Sequence, residues 1–190
     1  MNALEKGYAQ TIREYCLQSK EKNPVILANE IMGIEGFPVA GQAHHPLIAA
    51  SLLTAYANAL NEKVDEHKLD AVIKRSDSLP AGFCAGFGSD AAIISLGITV
   101  SVILGNTVDE GSSVGRTISH TLTGMGMLAI ANNSGARCCK RSTFTALTLA
   151  ANYLPATLGV TFPKLEEATF RCQFFEMNKM CNKKYCKYYP

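Results

Sequence analysis

Residues 80–104 read Pro80-Ala-Gly-Phe-Cys-Ala-Gly-Phe-Gly-Ser-Asp-Ala-Ala-Ile-Ile-Ser-Leu-Gly-Ile-Thr-Val-Ser-Val-Ile-Leu104, a glycine-rich turn around Cys84 that runs into the most apolar stretch of the chain. From Ala91 to Leu104 no residue is charged. Apolar side chains there fall on every side of a 3.6-residue repeat, which predicts a helix buried at the centre of a bundle from about Ser89 to Leu104. Such a run is too short to cross a bilayer, for which ~20 residues are needed. Its β-branched residues (Ile93, Ile94, Ile98, Thr99, Val100, Val102, Ile103) would also suit a strand. No alternating ladder elsewhere supplies a strand for it to pair with. Ser95, Gly97, Thr99 and Ser101 are small enough to let neighbouring helices pack closely.

Outward from this stretch, helical spacing recurs. Residues 3–19 carry Leu4, Tyr8, Ile12, Tyr15 and Cys16 on one face, the pattern of an amphipathic surface helix. Asn23-Pro24 is a capping residue followed by proline at the first helical position, starting a helix to about Ile34. Gly33, Gly36 and Pro38 break it. Pro46 opens a helix to about Asn61, with a buried stripe of Ala49, Ala50, Leu52, Leu53, Tyr56 and Leu60. A capping Asp65 begins another, charged on its outer face, to about Arg75. Residues 113–131 and 140–153 form the remaining helices, separated by the turn Asn132-Asn133-Ser134-Gly135 and stopped by Pro155. The expected fold is all-α: a single-domain bundle of about seven helices over residues 1–163, with a short cysteine-rich tail, residues 164–190, packed on it.

Composition narrows the class. Of 190 residues 47% are hydrophobic and 18% charged, which suits a compact core and argues against disorder. The net charge of +2 is too small to suggest nucleic acid as a partner. The tail is basic, with six Lys/Arg against three Glu over residues 164–190. The N-terminal residues mix charge with apolar positions and lack a signal-peptide core. A cytoplasmic, non-membrane protein is expected, and in that setting seven cysteines point to metal binding or catalysis rather than disulfides.

The cysteines fall into three segments. Cys172-x8-Cys181-x4-Cys186 sets three thiols among Lys179, Lys183, Lys184 and Lys187, where cations favour thiolate. This is neither the paired C-x2-C of zinc fingers nor the ferredoxin run. Cys84 sits before the apolar helix, whose free N–H groups and dipole favour thiolate. Gly86 beside it lets the backbone approach a ligand closely. Cys138-Cys139 is a vicinal pair at a helix start, and Cys138 is the one expected to face a shared centre. Lys140, Arg141 and the free N–H groups that follow form a candidate anion site. His44 and His45, in a glycine-bounded loop beyond Glu30 and Glu35, are candidates for general acid or base. His67, His120 and Cys16 read as ordinary helix residues.

Two resemblances arise at these positions. The segment Gly33-Ile-Glu-Gly-Phe-Pro-Val-Ala-Gly-Gln-Ala-His-His-Pro46, with Gly135-Ala-Arg-Cys-Cys-Lys-Arg141 and the ending Cys186-Lys-Tyr-Tyr-Pro190, resembles a domain family of unknown function from anaerobic bacteria and archaea, sometimes fused to methyltransferase-like domains. More distantly, Cys84 to Leu154 is similar to the iron–sulfur L-serine dehydratase α-subunit and the cysteine desulfidases. There a Cys-x-Gly turn precedes an apolar small-residue helix, and a later cysteine with a charged pair opens another. That resemblance implies a [4Fe–4S] cluster with an open iron, held here by Cys84 and Cys138. The family's middle cysteine would fall near Leu128 to Asn132, where this chain has none, so Cys172, Cys181 or Cys186 would supply the rest. The serine-rich substrate segment is also missing. The expectation is an iron–sulfur protein with lyase, desulfurase or sulfur-transfer chemistry on a small polar substrate or sulfur-carrying partner, His44 or His45 serving as base. Its rivals are a helical accessory module with structural zinc or a cluster serving an enzyme such as a methyltransferase, and a thiol redox sensor. A homodimer is an admitted state.

Overall fold

The computed structural model describes residues 7–133, 135–166 and 168–190. Leu4, Ser134 and Glu167 therefore lie outside the described residues. Eight helices follow in order among the rest: α1 (Tyr8–Gln18), α2 (Pro24–Met32), α3 (His44–Ala59), α4 (Glu66–Asp77), the single turn α5 (Phe83–Gly86), α6 (Ala91–Ile103), α7 (Ser113–Asn132) and α8 (Cys139–Leu158). The described residues contain no strand, and none of their helices is long and apolar enough to cross a membrane.

Local chemistry explains the starts. Asn23 accepts N–H bonds from Val25 and Ile26 to cap α2, with Pro24 at its first position. Asp65 caps α4 through Lys68, and Asp90 caps α6 through Ala92. α3 begins two residues earlier than Pro46 suggests, at His44, so Pro46 occupies the third position, where its missing N–H would have had no partner. α2 ends at Met32 rather than Ile34, because Gly33 already caps it. Pro155 does not stop α8. It lies within the helix and forfeits the N–H bond to the carbonyl of Ala151, yet the helix continues to Leu158 and is capped by Gly159 in the left-handed region (φ 66°).

The bundle has two axial helices. α6 packs on α3, α4, α7 and α8, as its all-round apolarity requires. α3 is more enclosed still, touching α1, α2, α4, α6 and α8 and burying fourteen of its sixteen residues. Ser51, Thr54 and Asn58 are among those buried, so a stripe drawn from hydrophobic residues alone understates this helix. Leu60, expected inside, instead follows the helix end and is exposed. Glycines set the α6–α7 spacing: a Cβ on Gly126 would lie 2.7 Å from Ile93 Cδ1, and one on Gly97 2.7 Å from Thr123 Oγ1.

The tail has no regular element beyond a three-residue turn, Lys183–Tyr185. It orders itself with aromatic rings. Phe144 of α8, fully buried, meets Phe170 and Tyr188 edge-on with ring centres 5.0 and 5.3 Å away. Phe174 is buried against Lys140.

Candidate functional site

The starts of α3, α6 and α8 converge at one end of the bundle. Gly41 links two of them. Its backbone (φ 120°) lies where side chains are disfavoured, its N–H donates to Cys139 Sγ at 3.3 Å, and its carbonyl accepts from His44 Nδ1 at 3.3 Å. With Nδ1 protonated, His44 Nε2 carries the lone pair and accepts from the Lys140 ammonium at 3.5 Å. Burial, reinforced by that ammonium, pushes the His44 pKa down to about 3. Both ring nitrogens are engaged and the ring stays neutral.

His45 is differently placed. Its Nδ1–H donates to the Leu79 carbonyl at 3.3 Å, which leaves a lone pair on Nε2. Burial lowers its pKa, against an opposing pull from Leu79, Asp90 and Asp77, so the ring is neutral near pH 7. His44, His45, Cys84, Asp90, Arg137 and Cys139 line one cavity of about 20 Å³, room for a single water-sized group. Ser142 completes it, donating to Asp90 Oδ2 at 3.2 Å while Asp90 Oδ1 caps α6.

Cys84 lies in the turn α5, before α6 as its sequence context implied, and its Sγ accepts the Ala91 N–H at 3.4 Å. The expected preference for thiolate is reversed there. Burial raises the Cys84 pKa more than the Ala91 N–H lowers it, and the nearby Asp90 carboxylate adds to the rise. Gly86 closes α5 on the surface with nothing within 4 Å of the place a Cβ would occupy, so it makes no close approach inside the molecule.

The vicinal pair divides. Cys139 turns into the cavity with Cys84, whereas Cys138 caps α8 and meets the tail. Its Sγ accepts from Arg141 N at 3.5 Å and from Asn178 Nδ2 at 3.3 Å. Cys172 lies within electrostatic reach of Cys138, Lys140 and Cys186, and burial raises its pKa. Cys181 is on the same turn as Asn178, its N–H donating to the Asn178 carbonyl. Sequence reading placed Cys84 and Cys138 in one centre. Cys84 and Cys139 line the same cavity, while Cys138 lies within electrostatic reach of the tail thiol Cys172.

Lys140 and Arg141 are not free surface cations. Lys140 is 3% exposed, donates to Val39 O at 2.6 Å and lies over the Phe174 ring at 4.7 Å. Arg141 is 8% exposed and donates to the Ala136 carbonyl at 2.8 Å, closing the loop before α8. The cation lining the cavity is Arg137, which is exposed and was read only as part of the motif. Asp90 and Ser142 were likewise overlooked. Asp90 was legible as a helix cap, but its second oxygen reaches Ser142 only through the packing of α8 on α6. Glu30 sits elsewhere, accepting from the Tyr15 hydroxyl at 3.1 Å, and His67 and His120 are exposed away from the cavity. Among the described residues no three or more His, Cys, Asp or Glu side chains are already arranged to hold a metal ion.

No curated protein and no solved structure matches the chain. Residues 12–189 match the model of DUF5714, a family of unknown function, and the chain belongs to that family.

Proposed function

We propose that the chain transfers sulfane sulfur, taking it from a small anionic donor by way of Cys139 and passing it to an acceptor thiol. The observation that carries this reading is the lining of the cavity: two thiols from segments more than fifty residues apart, with a neutral imidazole and an exposed guanidinium.

Each residue has a task. His45 Nε2 takes the Cys139 proton, its lone pair kept available by the Nδ1–H bond to Leu79. The Cys139 sulfur attacks the outer sulfur of the donor persulfide, R–S–SH. A new S–S bond forms on Cys139, the donor's S–S bond breaks, and R–S⁻ leaves with the proton held by His45. An acceptor thiolate then removes the outer sulfur by the same exchange, so no oxidant or reductant is consumed. Arg137 at the rim holds the anionic group of the donor. Cys84, half-buried and with its thiol pKa raised, lines the space that the transferred atom enters. A cavity with room for one water-sized group suits one added sulfur atom and excludes the donor's body, which must remain at the rim.

The test is to incubate the reduced full-length chain with cysteine persulfide, then digest it and map the added mass. One extra sulfur atom on the peptide bearing Cys139, absent in Cys139→Ser and retained in Cys138→Ser, is expected. His45→Gln should slow loading at least tenfold with the circular dichroism unchanged. Sulfur spread evenly over the exposed thiols, or none on Cys139, would overturn the reading.

A further inference from the structure

α7 lies at the edge of the bundle. Its inner face packs on α6 and α8, and of its twenty residues only Ser119, Leu122 and Gly126 are buried. The opposite face carries Val114, Thr117, Thr121, Gly124, Leu128 and Ala131, all exposed. Their spacing alternates between three residues and four, which is the seam of a two-helix coiled coil. Val114 is 73% exposed and Leu128 68%, with Met125 alongside at 41%. Single exposed apolar residues are ordinary. A stripe of them running the length of a helix ~30 Å long is a packing surface without its partner.

Charge narrows what can cover this stripe. Within α7 Arg116 alone is charged, and His120 is the one other titratable side chain. Arg116 turns back onto the preceding loop and donates to the carbonyls of Thr107 and Asp109, each at 2.6 Å. A charged partner would lose water here and gain no counter-charge. A second copy of the stripe brings no charge at all. Shape selects the same occupant. In an antiparallel pair the residues that open each three-residue step meet those that close it. Val114 then faces Ala131, Leu128 faces Thr117 and Thr121 faces Gly124, so every layer sets a larger side chain against a smaller one. A two-fold axis generates each layer twice, as an interface between identical surfaces requires. The antiparallel arrangement also places opposite ends of the two helix dipoles side by side.

We propose that two copies of this chain dimerise through α7, antiparallel about a two-fold axis that passes between Thr121 and Gly124. No residue lining the thiol cavity belongs to α7, so the interface is independent of the sulfur-transfer reading.

The test is sedimentation equilibrium of the full chain over a ~100-fold range of concentration, in reducing buffer so that no disulfide joins the chains. A monomer–dimer equilibrium is expected. Thr117→Asp and Leu128→Arg each put a charge into the seam with no counter-charge opposite, and each should weaken the dimer roughly tenfold or more. Both positions are exposed, and each new charge suits its end of the helix, so the circular dichroism should not change. An equal mixture of the two variants should restore the dimer, because the new carboxylate of one chain faces the new guanidinium of the other. In a parallel pair residue 117 would face residue 117, and mixing would rescue nothing. A chain that stays monomeric throughout leaves the face to a different protein and overturns the proposal. So does a dimer that neither variant weakens, or one that mixing does not restore.

Discussion

At the scale of a residue, His44 shows how burial decides chemistry. Its ring is held by Gly41 on one nitrogen and Lys140 on the other, and its pKa falls to about 3. An unfolded imidazole titrates near ~6.5, so as the pH drops the unfolded chain takes up the proton first. Stability contributed by the neutral ring is therefore complete above pH ~6.5 and declines as pH falls toward about 3, by up to ~1.4 kcal/mol per pH unit. Urea unfolding midpoints between pH 7 and 5 should show this decline before the carboxylates titrate. His44→Gln keeps an acceptor for Lys140 and should flatten the curve, leaving the smaller share that His45 contributes. Parallel curves for the two proteins would mean that His44 is not the group responsible. Lys140→Met tests the partner. Burial is the main cause of the His44 shift, but the ammonium is the next, so in this variant the imidazole pKa measured by nuclear magnetic resonance should rise.

At the scale of an element, the contact of α6 with α7 yields paired predictions of opposite sign. Gly126 faces Ile93, and a methyl group there meets two of its carbons at 2.7 and 2.8 Å. Gly126→Ala should destabilise by ~1–3 kcal/mol through overpacking. Gly124, two residues away on the exposed side, has nothing within 4 Å of the same added atom. Gly124→Ala should stabilise by ~0.5–1 kcal/mol, since alanine loses less conformational freedom in a helix. Chemical denaturation of both variants checks the packing register directly; equal effects would place the two glycines on equivalent faces and contradict it. Such registers are only half legible beforehand. The apolarity of α6 announces a central helix and its small residues announce close neighbours, but nothing in the sequence says that Gly126 is the residue opposite Ile93. The centrality of α3 was hidden for a different reason. Ser51, Thr54 and Asn58 look like an outer face, yet a helix enclosed by five others buries polar side chains too.

At the scale of the molecule, the candidate site was legible as parts and not as an assembly. Cys84, His45 and the vicinal cysteines each stand out by local context, whereas their grouping depends on how α3, α6 and α8 meet. Which of Cys138 and Cys139 turns inward follows from the helix start itself: the capping residue faces back toward the tail, and the first helical residue faces the bundle. The tail tests this architecture most severely. Polar by composition, it looks unable to order without a metal, but Phe170 and Tyr188 enclose Phe144 and Phe174 covers Lys140. Those rings belong as much to α8 as to the tail, so tail and bundle should unfold together. Nuclear magnetic resonance ring signals of Tyr185, Tyr188 and Tyr189 from the tail, resolved from those of the four helix tyrosines, and helical circular dichroism from the bundle should melt in one coincident transition in metal-free protein. Tyr188→Ala removes a ring that is 4% exposed and should cost ~3 kcal/mol. It should also make the chain after Pro163 the first segment cleaved by dilute protease. If the tail melts well before the helices in the wild-type chain, the aromatic cluster is too weak to order it, and a ligand at the thiols must supply the difference.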